Sequence, residues 1–245
     1  MRISIPVFFL LALMCSCKGP FEVSNPTISS NSVSLDLSAQ KLTKVPESVA
    51  NMRELKKLVL FRNNIDSVPA FIGGMDSLQK LSFKSNKLVH IDSNAMDLPS
   101  LKELDLRFNQ LEAIPDGFGG MTELEVLDLR NNRLKSLPGS IGALKSLEFL
   151  YLSDNDLRSL PSTLLALPKL KFLVIGRNSI DGRLPDWICE MPNLIELDVS
   201  GCCEDNRLPE GLNRLRNLEL LTVSPYQVLP NNLGKGNSRL RVRVK

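Results

Sequence analysis

The 245-residue sequence has little of what catalysis usually needs: one histidine, one tryptophan, two tyrosines and 5% aromatic residues overall. The lone His90 removes most histidine-dependent catalysis and most zinc sites, because those use imidazoles in sets or with fixed partners. No G-x-S-x-G, glycine-rich phosphate loop, H-E-x-x-H or C-x-x-C occurs, so no motif supplies an activated nucleophile, a phosphate cradle or a metal. No catalytic residue, metal or cofactor is therefore expected. Charge of one sign is also scarce. Thirty Lys and Arg stand against 27 Asp and Glu, a net +3, which gives no reason to expect nucleic acid.

What is present is leucine. Hydrophobic residues make up 43% of the chain, enough to exclude disorder, and a leucine-dominated core poor in aromatics implies one small packing unit used many times. The longest apolar run, Ile3 to Met14 behind Arg2, is too short to span a bilayer and has the length of a signal h-region. Met14-Cys15-Ser16-Cys17 follows, and a cysteine behind a small residue at this place resembles a bacterial lipoprotein signal. That resemblance implies lipidation at Cys17; a cleaved secretory peptide and an uncleaved anchor are the alternatives. All three place the body outside the cytoplasm. Residues 18–31, rich in Ser, Asn and Pro without an apolar period, read as a tether.

From residue 32 the chain is periodic, with leucines at 55, 78, 101, 124, 147 and 170, each 23 residues after the last. Each unit follows L-x-x-L-x-L-x-x-N-x-L, as in Leu101, Leu104, Leu106, Asn109 and Leu111, and most close with an apolar residue and proline. The pattern resembles the leucine-rich repeat family over residues 32–230, in about nine units, with 231–245 as a C-terminal cap. The resemblance implies an α/β solenoid: a curved horseshoe with a parallel β-sheet on the concave face and short helical or 3-10 turns on the convex face. One unit cannot bury its own apolar face, so stacking is obligatory.

Two columns are scaffold. Asn63, Asn86, Asn109, Asn132, Asn155 and Asn178 sit where the chain turns after each strand, and an amide there can satisfy backbone groups of its own and the neighbouring turn. Pro46, Pro69, Pro115, Pro138, Pro161, Pro185 and Pro209 fix φ on the return path, with Asp92 in the proline position of one unit. The later units depart from the pattern. One residue is inserted between Asn178 and Pro185, Cys202 occupies the asparagine column with Glu204 in an apolar column, and Tyr226 stands at the last asparagine position. Leu240, Val242 and Val244 alternate with Arg239, Arg241, Arg243 and Lys245 as a terminal strand. Cys189, Cys202 and Cys203 are an odd set, and the paired-cysteine caps of animal extracellular repeat proteins are absent, which points to a bacterial source. Cys189 reads as a buried thiol. Cys203-Glu204-Asp205 matches the bare C-x-D of a family of bacterial repeat-bearing ubiquitin ligases, but it lies inside a repeat with no catalytic domain behind it.

Function then falls to the concave sheet, whose outward columns can be read from the register. The position before the central leucine carries Lys57, Lys80, Glu103, Val126, Phe149, Phe172 and Glu196, and the position after it carries Val59, Ser82, Asp105, Asp128, Tyr151, Val174 and Asp198. Two features emerge. Val126, Phe149, Tyr151, Phe172 and Val174 form an apolar-aromatic patch suited to a protein interface, and Lys84, Arg107 and Arg130 form a basic strip expected at the rim, two to four strands away. Asp105 and Asp128 read as a solvated ladder neutralised by Arg107 and Arg130. The expected function is binding of a protein ligand in the concavity by a monomer that meets the membrane only through its lipid. A structural or adhesive surface protein without a single ligand is the alternative, and a secreted effector comes third.

Overall fold

The computed structural model describes residues 33–245; the expected signal, the Cys17 anchor and the 18–31 tether lie outside these residues. Twelve short strands follow one another: β1 (Ser34–Asp36), β2 (Lys57–Val59), β3 (Ser67–Val68), β4 (Lys80–Ser82), β5 (His90–Ile91), β6 (Glu103–Asp105), β7 (Val126–Asp128), β8 (Phe149–Tyr151), β9 (Phe172–Val174), β10 (Glu196–Asp198), β11 (Leu220–Val223) and β12 (Arg241–Val244). Ten form one parallel sheet in the order β1-β2-β4-β6-β7-β8-β9-β10-β11-β12, while β3 and β5 pair separately. Most of the long sheet's strands have three residues, so only the central one points inward. That residue is a leucine paired with the leucine of the next coil, as Leu104 with Leu127 and Leu127 with Leu150. From β2 to β10 these central leucines are almost fully buried, while Leu35 at the end of the stack is half-buried.

The return path is made of eight 3-10 turns, from Glu47–Asn51 to Glu210–Arg214. Seven of them start directly after a proline in extended conformation, where a fixed φ costs nothing and the missing N–H is not needed. At Asp92 the carboxylate does the proline's work by another route, accepting the Asn94 N–H at 2.9 Å and starting the turn Ser93–Met96. The chain is thus a leucine-cored solenoid with a parallel sheet on one side and 3-10 turns on the other. Among the described residues no helix is long and apolar enough to cross a membrane.

Six successive corners between strand and return path, after β2, β4, β6, β7, β8 and β9, are held by the asparagine column. Asn132 Nδ2 donates to the carbonyls of Leu129 and, one coil back, Leu106, both at 3.0 Å, and its Oδ1 accepts the Leu111 N–H at 3.1 Å. Asn63, Asn86, Asn109, Asn155 and Asn178 repeat that pattern. The residue before each asparagine is left-handed: Arg62, Ser85, Phe108, Asn131, Asp154 and Arg177 all have φ between 52° and 58°. A side chain in that region costs about 1–2 kcal/mol. The turn is kept because it aims the residue's own N–H at the next coil, as Phe108 N at the Arg130 carbonyl and Arg177 N at the Ser200 carbonyl.

The later coils correct the sequence register. Ile180 forms its parallel bridge with Cys203, so Cys203 and not Glu204 takes the apolar column. The Ile180 N–H, which an asparagine Oδ1 would have accepted, goes to the backbone carbonyl of Cys202 at 2.9 Å. One coil on, Tyr226 is 81% exposed and it is Gln227 that supplies the amide, donating to the Val199 carbonyl at 3.0 Å and accepting the Ser224 N–H at 2.8 Å.

Candidate partner-binding face

The register places the predicted patch in two adjoining rows. Val126, Phe149 and Phe172 are direct cross-strand partners, as are Asp128, Tyr151 and Val174. The aromatic rings are not independent side chains reaching into solvent. Phe149 and Phe172 stack at 4.5 Å between centroids and 13° between planes, and Tyr151 lies at 6.4 Å and 22° from Phe149. All five patch residues are half-buried, because neighbours in a three-residue strand cover their flanks. Stacking restricts their rotamers in the free chain.

The basic strip departs from expectation in place and in state. Arg130 is not at a distant rim: its guanidinium lies 4.8 Å from the Tyr151 ring centroid, joining the aromatic patch directly. The same guanidinium forks onto Asp128, Nε to Oδ1 at 2.9 Å and Nη2 to Oδ2 at 2.6 Å. That hydrogen-bonded pairing raises the Arg130 pKa further. Arg107 reaches both carboxylates, Asp105 at 3.2 Å and Asp128 at 3.5 Å. Its Nε lies close to Asp105 but makes no aligned hydrogen bond, so that contact is an ion pair only. Lys84 sits 5.0 Å above the Phe61 ring, and burial with the nearby Arg107 lowers its pKa.

Asp105 and Asp128 are likewise not a solvated ladder. Asp128 is buried and Asp105 half-buried, on adjacent strands. Desolvation, then the charge of Asp128, push the Asp105 pKa up to about 6 against the pull of Arg107. The strip is therefore a compact lattice of opposite charges beside the aromatics: the expected neutralisation by Arg107 and Arg130 is present, but at a half-buried site and not on a solvated face.

A second cluster, whose grouping the sequence reading did not foresee, lies beyond Val174. Lys245 extends from the end of β12 to Asp198 at 2.6 Å, while Ser200 Oγ and N–H both donate to the other carboxylate oxygen at 2.6 and 3.0 Å. Between them Thr222, which pairs in register with Asp198, is fully buried with its hydroxyl unpartnered. Gly176 leaves the space: a Cβ there would stand 2.8 Å from Ser200 Oγ. Gly176, Asp198, Ser200 and Lys245, together with Arg177, bonded to Asp154 at 2.6 Å, line a depression of about 160 Å³ bordered by Arg130 and Val174. No sequence signal could have found it, since Lys245 is 47 residues from Asp198. Among the described residues no three His, Cys, Asp or Glu side chains gather as a metal site. A larger open groove lies near the first 3-10 turns, lined by Lys44, Val45, Glu47, Ser67, Pro69 and Phe71 among others, away from the concave charges.

Comparison with known proteins agrees with this geometry. The family described as leucine rich repeat matches residues 53–111 and 99–157, and again 169–191. The chain belongs to the leucine-rich repeat family. Among solved structures, this leucine-rich repeat chain is similar to an LRR protein of Leptospira interrogans, at 30% identity and a TM-score of 0.70, covering 86% of this chain and 60% of that one. It is also similar to the plant peptide hormone receptor RGFR1 in complex with RGF2, at 25% identity and a TM-score of 0.66, over 82% and 33% of the two chains. A third likeness is to TLR13 in a complex with ssRNA13, at 26% identity and a TM-score of 0.68, over 80% and 30%. The chain thus spans about 60% of the Leptospira protein and about a third of the other two. No curated protein sequence matches it. The leucine-rich repeat family is generally a non-enzymatic binding scaffold.

Proposed function

We propose that this leucine-rich repeat protein is a non-catalytic, monomeric module that holds a protein or peptide ligand on its concave sheet. The observation that carries the reading is the continuous strip from Arg130 over Tyr151 to the stacked Phe149 and Phe172. Rigid aromatics beside a doubly held arginine lose little conformational entropy on binding, and Tyr and Arg are the residue types enriched in binding hot spots. Each of Arg107, Arg130, Arg177 and Lys245 already has a carboxylate partner, so the face is patterned in both signs, which favours a protein ligand over a polyanion. The receptor in complex with RGF2 adds a precedent for peptide capture on a related solenoid.

The test is capture from native membrane extracts with the wild-type chain, with Phe149→Ser/Phe172→Ser, and with a return-path control, Glu112→Ala. A protein retained by wild type and control but lost with the aromatic double variant, by more than about 2 kcal/mol in the affinity then measured, supports the reading. Equal retention by all three overturns it.

We further propose display outside the cytoplasm through a lipid on Cys17, supported by the apolar run and small residue before it. Wild type then partitions with detergent and Cys17→Ala stays aqueous; a mature N-terminus after Cys17 without lipid mass overturns this.

A further inference from the structure

Cys202 and Cys203 are neighbours in sequence, and in an extended chain neighbouring side chains point to opposite faces. Here they do not. The turn at Ser200 and Gly201, with Gly201 at φ +59°, changes the chain's direction, and the Cys202 carbonyl is drawn inward to accept the Ile180 N–H. Cys203 then bridges Ile180, and the two sulfurs come to 2.6 Å from each other. Both thiols are free. Cys202 is fully buried and Cys203 partly exposed, so one is shielded while the other can meet a solute.

We propose that Cys202 and Cys203 are a redox-active vicinal pair, closing reversibly to a disulfide ring by exchange with low-molecular-weight disulfides such as oxidised glutathione. In the first step the Cys203 thiolate attacks one sulfur of the small disulfide, forming a mixed disulfide and expelling one small thiolate, which takes up a proton. In the second, Cys202 gives its proton to solvent as its sulfur attacks Cys203 Sγ, expelling the second small thiolate. Two protein thiols are oxidised and one small disulfide is reduced to two thiols. The Cys202 thiol, held up in pKa by its contact with Cys203 and by burial, is the resolving and not the attacking group. Adjacent Cα atoms are about 3.8 Å apart, below the roughly 4.4–6.8 Å of ordinary disulfides, so the ring is strained and easily reduced. That is the behaviour of a switch and not of a staple. Its place in the fold gives it something to act on: a closed ring pins the loop in which Ser200 binds the buried Asp198.

The experiment uses the full chain, kept native in excess oxidised glutathione, then alkylated and digested so that each cysteine is read by peptide mass. The peptide containing both residues is expected to lose two hydrogens and take up no alkylating group, and to regain two alkylatable thiols after dithiothreitol. Cys202→Ala should stop at a glutathione adduct on Cys203, and Cys203→Ser should leave Cys202 unmodified until the protein is unfolded. Cys189, buried on the return path with its thiol pushed up to about 11, is the internal control and should remain reduced. Two alkylated thiols in the treated wild type, a glutathione adduct that never resolves, or disulfide-linked dimers would each overturn the proposal. The wild-type result stands even if either variant fails to fold.

Discussion

The coils from β2 to β9 and those from β10 to β12 have the same backbone problem and solve it differently. In the first group one amide per coil, from Asn63 to Asn178, closes every corner with the same three partners. In the second the asparagine is missing. The Cys202 carbonyl replaces an amide oxygen, and Gln227 serves from one position later. What a leucine-rich repeat coil requires is therefore a partner for each buried backbone group and not a particular residue. The regular coils spend their concave positions on an aromatic and charged face; the irregular ones spend theirs on tying β12 back through Lys245.

The contrast is sharpest in the core. Leu127→Ala, at a fully buried position, should lower unfolding free energy by about 2–5 kcal/mol. Val242→Ala, facing the same way on β12 but 41% exposed, should cost well under about 1 kcal/mol. Equal losses in denaturant melts would mean that the last strand is covered as fully as the middle.

Next in size is the charge lattice. The Asp105 pKa in the folded chain, about 6, lies above the ordinary 3.8. Folding therefore favours its protonated form, so stability from this group is greatest at low pH, falls as pH rises from about 4 to about 6, and is lowest above that. Asp105→Asn keeps an acceptor for the Arg107 N–H and should remove the decline, raising stability at pH 7.5 by about 2–3 kcal/mol. Melts across pH 4–8 that are parallel for wild type and variant would refute the assignment. No such effect should follow from an isosteric change on the irregular side, Asp198→Asn, where the carboxylate is satisfied by Lys245 and Ser200; that variant should instead lose stability.

The corner amides give a finer test. Asn132→Ala leaves two carbonyls and one N–H without partners and should cost about 1–3 kcal/mol. Gln227→Ala releases fewer groups in a less buried corner and should cost less, about 1 kcal/mol, by the same melts. Smallest is the left-handed position: Phe108→Gly relieves the side chain's steric conflict at φ +57°, and Gly201→Ala adds a methyl into open space at φ +59°. Each should move stability by no more than about 1 kcal/mol, in opposite directions. A large loss in Gly201→Ala would show that this coil cannot keep the turn with a side chain at that position.

Much of this was legible in advance because a repeat carries its own alignment. Once the leucines at 55, 78 and 101 set the period, the alternation of a strand put Phe149, Tyr151 and Phe172 on one face, and the structure brings them together. The same counting failed at Glu204, whose apolar column Cys203 takes, and at Tyr226, where a glutamine one residue later supplies the amide. It also failed for Arg130, because columns record which strand a residue follows and not how far a guanidinium reaches: at 4.8 Å from Tyr151 it belongs to the patch.

The coil, its sheet and the composition of the concave face follow from the order of residues alone, since period, alternation and turn chemistry are local properties that each repeat restates. Folding in three dimensions settled the rest: that Asp105 and Asp128 lose solvent on adjacent strands, that Arg130 joins the aromatics, that Lys245 reaches across β11 to Asp198, and that two adjacent thiols meet. Those outcomes depend on distances of a few ångströms between side chains from different coils. Ion pairing, desolvation and sulfur chemistry all change sign or vanish over such distances, and no spacing along the chain encodes them.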